Sequence, residues 1–161
     1  MKKAILSIAL LLSLTVSFAD EKDSKSAVKS GNVAENVLRQ FAYNFYNATD
    51  VKWNINEKFQ TASFKLNDKP AYALYSLQNE FLVATQVIKI EEFSKTALKN
   101  INDAYASAKI QKIVKIISRP SDFQFSDDTG SYWVSLISGE KQIILLVSPE
   151  DNITIVTSIK L

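Results

Sequence analysis

The chain has no cysteine and no histidine, and only three glycines, three prolines and one methionine among its 161 residues. Each shortage removes a class of chemistry. Without cysteine there is no disulfide and no thiol nucleophile. Without histidine there is no imidazole acid or base, and with both missing there is no Cys/His zinc site. Three glycines supply no Gly-rich loop to cradle a phosphate. An excess of one charge is missing too. Lys+Arg is 19 against 17 Asp+Glu, but Lys2 and Lys3 lie in an N-terminal stretch without acids, and the remainder balances seventeen against seventeen. Net charge therefore gives no drive toward nucleic acid or acidic lipid. Beyond residue 19 no apolar run approaches the roughly 20 residues that a bilayer span needs.

What is present begins with an export signal. Met1-Lys2-Lys3 is a short positive start, Ala4 to Val16 is an apolar or small-hydroxyl run, and Ser17-Phe18-Ala19 sets small residues before Asp20. Those three parts, in that order, predict a secretory signal over residues 1–19. The alternative is an uncleaved anchor, for which the run is short. No cysteine stands at the cleavage point to carry a lipid. Residues 20–32 are polar, with almost nothing to bury, and read as a flexible leader. The expected product is an exported, periplasmic or secreted protein without a stable membrane anchor.

The rest of the chain, 33–161, alternates two periodicities. Val33, Val37, Phe41 and Phe45 recur every four residues, predicting a helix of about fourteen residues with Asn32 as its cap. Period two follows, in Val51 to Ile55, Phe59 to Leu66, Ala71 to Leu77 and Phe81 to Ile90, with a two-residue hairpin turn at Asn67-Asp68. The same order then returns. Phe93, Ala97, Ile101 and Tyr105 each lie 60 residues after their counterparts, and strands are expected over Ile110–Ile117, Tyr132–Ile137, Gln142–Val147 and Ile153–Ile159. The expected fold class is α+β: two tandem repeats, 33–90 and 91–161, each a helix plus a four-stranded antiparallel sheet. The helices would lie on one face of the sheet.

Tyr46-Asn47-Ala48-Thr49-Asp50-Val51-Lys52-Trp53, followed by Phe59 and Ala62-Ser63-Phe64-Lys65-Leu66, resembles the PepSY-like, β-lactamase-inhibitor-like family of secreted bacterial proteins, common in Bacteroidetes-type bacteria. The resemblance covers about residues 33–160, more strongly in the first half. Tyr46 stands where members usually carry Pro, and Gln78-Asn79 where many have Asp-Gly. The resemblance implies tandem helix-plus-sheet repeats with a sheet face available to a partner. It implies no activity.

Polar clusters offer little chemistry. Glu91-Glu92 suits the start of the second helix, where the macrodipole favours acids. Ser126-Asp127-Asp128-Thr129-Gly130, with Asp122 nearby, has part of the spacing of a calcium loop but lacks its alternating ligands and closing Glu. Ser94-Lys95, and Ser107 near Lys109, lack the buried lysine that a Ser/Lys nucleophile needs. Asn47-Ala48-Thr49 and Asn152-Ile153-Thr154 are sequons, of consequence only in a eukaryotic secretory path. Lys109, Lys112, Lys115 and Arg119, with Lys89 near them, form a basic strand. It reads either as a contact for an anionic partner or as a solvated edge that discourages pairing. No metal, cofactor or catalytic residue is expected.

The aromatic residues carry the functional expectation. Tyr72 and Tyr75 have opposite parity, as do Tyr132 and Trp133, so both sheet faces must bear an aromatic side chain. Trp53, Tyr72, Tyr75, Tyr132 and Trp133 form the pool expected to hold partner-binding anchors. The reading is a non-enzymatic binding module that presents its sheet face to an unidentified protein or peptide, one form being inhibition or regulation of an exported enzyme. The alternatives are an envelope protein that self-associates, for example as a homodimer, and a carrier of a small apolar ligand.

Overall fold

The computed structural model describes residues 33–120 and 128–161. Eight strands run in chain order through one antiparallel sheet: β1 (Thr49–Ile55), β2 (Phe59–Leu66), β3 (Lys69–Ser76), β4 (Phe81–Ile88), β5 (Lys109–Ser118), β6 (Tyr132–Ser138), β7 (Lys141–Val147) and β8 (Ile153–Lys160). The helices are α1 (Glu35–Asn44) and α2 (Lys95–Ala104). The described residues fall into two units, one within Lys22–Val87 and Ile116–Thr129, the other within Ile88–Lys115 and Gly130–Leu161. The signal, the leader, the Asn32 cap, Asp122, Ser126 and Asp127 lie outside the described residues.

In the first unit the period-four stripe becomes one buried face. Val33, Val37, Phe41 and Phe45 pack with Trp53, Ala62, Phe64, Ala71, Ala73, Tyr75 and Ala84. Small side chains on β3 and β4 leave room for large ones on the helix and on β2. Phe41 meets Phe64 edge-on, with ring centroids 5.0 Å apart at 87°, and meets Trp53 at 5.4 Å and 70°. Such crossings bring the positive ring edge onto the negative face. Burying one of these rings contributes about 2–3 kcal/mol by area alone.

The helices are shorter than the stripes suggest. Each has ten residues, because the outer stripe positions (Val33 and Phe45, Phe93 and Tyr105) pack from the flanking turns. Ala34 stands at the N-cap of α1 and offers no side-chain cap. At α2 the cap is Ser94, whose Oγ accepts the Ala97 N–H at 3.2 Å and donates to Asp151 Oδ2 at 2.8 Å. Glu91 and Glu92 sit before that cap, in a 3-10 turn over Ile90–Glu92, rather than in the first turn of α2.

Turn chemistry follows the residues. Asn67 and Asp68 both have positive φ, 52° and 61°, which is the type I′ geometry whose twist matches the flanking strands. Gly139 (φ 58°) turns β6 into β7. In the second unit α2 buries Ala97 and Ile101, which join Phe93, Ile113, Val134, Leu136, Leu145 and Val147.

Candidate binding surface

Antiparallel register fixes which side chains share a face, since directly opposed residues point the same way. In the first unit Ala62, Ala73 and Ala84 stand opposite one another on the helix side. The next rows face away from the helix. Lys52, Ser63, Tyr72 and Thr85 form one, and Asn54, Thr61, Leu74 and Val83 form the other. In the second unit Ile113, Val134 and Leu145 belong to the helix side. Val114, Trp133, Leu146 and Thr154 form one row on the far face, and Lys112, Ser135, Ile144 and Thr157 the next.

The five expected anchors divide by parity. Tyr75 and Trp53 lie on the helix side, with their rings 5.7 Å apart. Tyr132 lies there too, half-buried, 5.1 Å from Phe93 and edge-on to it. Tyr72 and Trp133 lie on the far face. The expectation that each pair splits between faces matches the register. The expectation of exposed anchors needs correction. Trp53 is 8 % exposed, Tyr72 3 %, Tyr75 0 % and Trp133 1 % in the 161-residue chain, so none of the four stands out in solvent. For Trp53 and Tyr75 the reason is the helix-side core. Tyr72 and Trp133 belong to neither helix-side cluster.

Burial shows in the acid–base behaviour. The Tyr72 and Tyr75 hydroxyls are pushed above the ordinary tyrosine range because charging them would strand an anion away from water. Lys112, half-buried in the far-face row beside Ser135, is held below the usual lysine range by the same desolvation. Around it lies a polar set. The Ser135 hydroxyl, fully buried, donates to Gln111 Oε1 at 3.1 Å and accepts from Gln142 Nε2 at 2.9 Å.

Several far-face residues carry no aromatic signal and escaped the sequence reading: Leu74, Val83, Ile116 and Ile144, all buried. Their mark is a strand apolar at both parities, as in Ala71 to Tyr75 and Trp133 to Leu136. That pattern means burial on both faces rather than one.

The basic strand is not one patch. Lys109 and Lys112 oppose Ile137 and Ser135 on the far face, whereas Lys115 opposes Tyr132 on the helix side, with its Nζ 5.9 Å from that ring. Arg119 pairs with Asp128 at 3.2 Å, and both are largely buried. The bulge that places Gln111 between Ile110 and Lys112 shifts the parity that a regular strand would have had. The Ser/Lys pairs have structural or solvated surroundings: Ser94 caps α2, and Ser107 and Lys109 are exposed. Among the described residues no group of three or more Asp or Glu could hold a metal ion, and no helix is long and apolar enough to cross a membrane.

This arrangement matches solved structures. A BLIP-like protein from Bacteroides fragilis superposes with a TM-score of 0.62, covering 80% of this chain and 86% of its own, at 13% identity. The fold is that of the BLIP-like proteins. A DUF2874 family protein from Bacteroides uniformis gives 0.60 over 80% of this chain and 89% of its own, at 14% identity. A candidate periplasmic protein from Bacteroides eggerthii gives 0.59, with 81% and 90% covered, at 10% identity. At such identities the likeness extends to the fold. No protein-family model and no curated protein matches the chain.

Proposed function

We propose that the protein is an exported, non-enzymatic binding module that engages a protein partner through the sheet face away from its helices. The partner would be an enzyme of the periplasm or the surroundings, inhibited or regulated by occlusion. The observation that carries this is the far face itself. In each unit it holds large apolar side chains outside the helix-side core, none more than 3 % exposed in the 161-residue chain: Tyr72, Leu74 and Val83 in one, Val114, Trp133 and Ile144 in the other. In each unit an aromatic residue shares that face with polar ones, Tyr72 with Lys52 and Ser63 in one and Trp133 with Gln111 and Gln142 in the other, which is the make-up of an interface core. The BLIP-like fold supports the reading by analogy. Removal of residues 1–19 on export, the PepSY-like assignment and the description as two tandem repeats belong to the same proposal.

Affinity capture tests it. The exported chain, Asp20 to Leu161, is offered to the host's envelope and secreted extract beside two variants, Ser63→Arg and Gln142→Arg. Both substitutions place a long charge on the far face without opening a core. A partner enzyme retained by the parent and lost with the variants is the expected outcome. Equal retention by all three contradicts the use of this face.

A further inference from the structure

The sheet ends in two strands that manage their free edges differently. An edge strand carries a row of unpaired backbone donors and acceptors, and proteins usually blunt it with bulges and charges. β1 is blunted. Asp50 has φ 54°, the ladder with β2 breaks between Thr49 and Lys52, and Asp50 holds Lys65 at 2.6 Å. β8 is not blunted in this way. Six of its eight residues are β-branched, it contains no proline, and its single charge, Lys160, comes last. One shift of register at Val156 interrupts its ladder with β7, and the strand stays extended on both sides of it. Ile155 is 59 % exposed, Ile159 36 % and the following Leu161 68 %.

We infer that β8 is a pairing edge, and that its occupant is β8 of a second copy, running antiparallel about the middle of the strand near Val156 and Thr157. Charge decides between the possible arrangements. Glu150 and Asp151, which accept from the neutral hydroxyls of Ser148 and Ser94, lead into the strand, and Lys160, 3.7 Å from Glu140 in a solvent-exposed pair, ends it. An antiparallel pair sets the acidic entry of one copy beside the basic exit of the other, at both ends. A parallel pair sets like charges together. The antiparallel arrangement is also the one that a two-fold axis closes, leaving as free edges only the blunted β1 of each copy. A formal net charge of only +2 leaves little long-range repulsion between copies. This surface is an edge, separate from the far face of the proposed function, and either can fail without the other.

Sedimentation velocity of the purified protein over a range of concentrations should show a monomer–dimer equilibrium. Ile155→Lys places a charge near its symmetry mate. It should weaken the dimer about tenfold or more, acting at two symmetric positions, and should leave the melting temperature of the dilute, monomeric protein unchanged because Ile155 is exposed. The absence of native cysteine allows single spin labels. By strand rise, labels at Ile155→Cys should lie about 10 Å from their mates and labels at Lys160→Cys about 25 Å. Equal short distances at the two positions would overturn the antiparallel arrangement. A monomer at every concentration would overturn the pairing. So would hydrogen-exchange protection of β8 that does not depend on concentration, or that arises only when a different protein is added. Those two results would assign the edge to another segment of the chain or to a foreign strand.

Discussion

The two units place a ten-residue helix on a meander with different side chains. The first unit fills the space with rings: Phe41, Phe45, Trp53, Phe64 and Tyr75 touch in a chain, and Phe81 closes it against Tyr75 at 5.4 Å. The second fills it with Ile101, Ile113, Val134, Leu136, Leu145 and Val147, and among the described residues sets Phe93 on Tyr132. Position by position the volumes trade. Phe93 is larger than Val33, while Ala97 and Ile101 are smaller than Val37 and Phe41. The helix-on-sheet arrangement therefore depends on the summed volume between the layers. No particular residue type is required. A ring core concentrates its energy in a few contacts, whereas an aliphatic core spreads it.

Truncation should separate the two. Phe64→Ala removes a fully buried ring that touches Phe41 and Phe45, and should cost about 3–5 kcal/mol in denaturant unfolding. Leu145→Ala, equally buried in the aliphatic core, should cost about 2–4 kcal/mol. If Leu145→Ala costs more than Phe64→Ala, the ring core is not the more concentrated one. The helix starts give a second contrast. Ser94→Ala, which loses the cap of α2 and its bond to Asp151, should cost about 1–2 kcal/mol. Ala34→Asp, at the uncapped start of α1, should stabilise the protein by about 0.5–1 kcal/mol.

The smallest effect is a pH dependence. Lys112 is held below its ordinary range in the folded chain, so the unfolded chain binds the extra proton. Its destabilising contribution is complete below the lowered folded value. It fades as pH rises through that value toward the ordinary lysine range. Lys112→Met should therefore raise the melting temperature at pH 7, and the advantage should shrink at alkaline pH. Tyr72 and Tyr75 act in the opposite sense. Their raised folded values mean that stability falls once pH passes the ordinary tyrosine value near 10. Melting curves of parent and variant from pH 7 to 11 separate the two contributions.

Much of the fold was legible because its signals are local. Hairpin turns such as Asn67-Asp68, alternation within strands and the period-four stripes act over a few residues, and the strand boundaries they imply fall within two residues of those observed. The irregularities were not legible. The backbone kink at Asp50 and the bulges at Gln111 and Val156 arise from pairing between strands, and no single segment encodes them. For the same reason the basic strand looked like one patch until the register divided it. Parity separated Tyr72 from Tyr75 and Tyr132 from Trp133, but parity reports direction and not depth. The burial of Tyr72 and Trp133 has its signal instead in the runs apolar at both parities that hold them, whereas the polar set of Gln111, Ser135 and Gln142 joins residues from three strands and has no local signal.

The two tryptophans offer the most direct test of the proposed binding face, since Trp53 belongs to the helix-side core and Trp133 to the far face. The measurement is the emission of Trp133 in a Trp53→Phe version of the exported chain, with and without the captured partner. Trp133 is 1 % exposed in the free chain, so the account predicts weak quenching throughout and an emission maximum that shifts when the partner seats on this face. A complex that forms while the emission of Trp133 stays the same would contradict it.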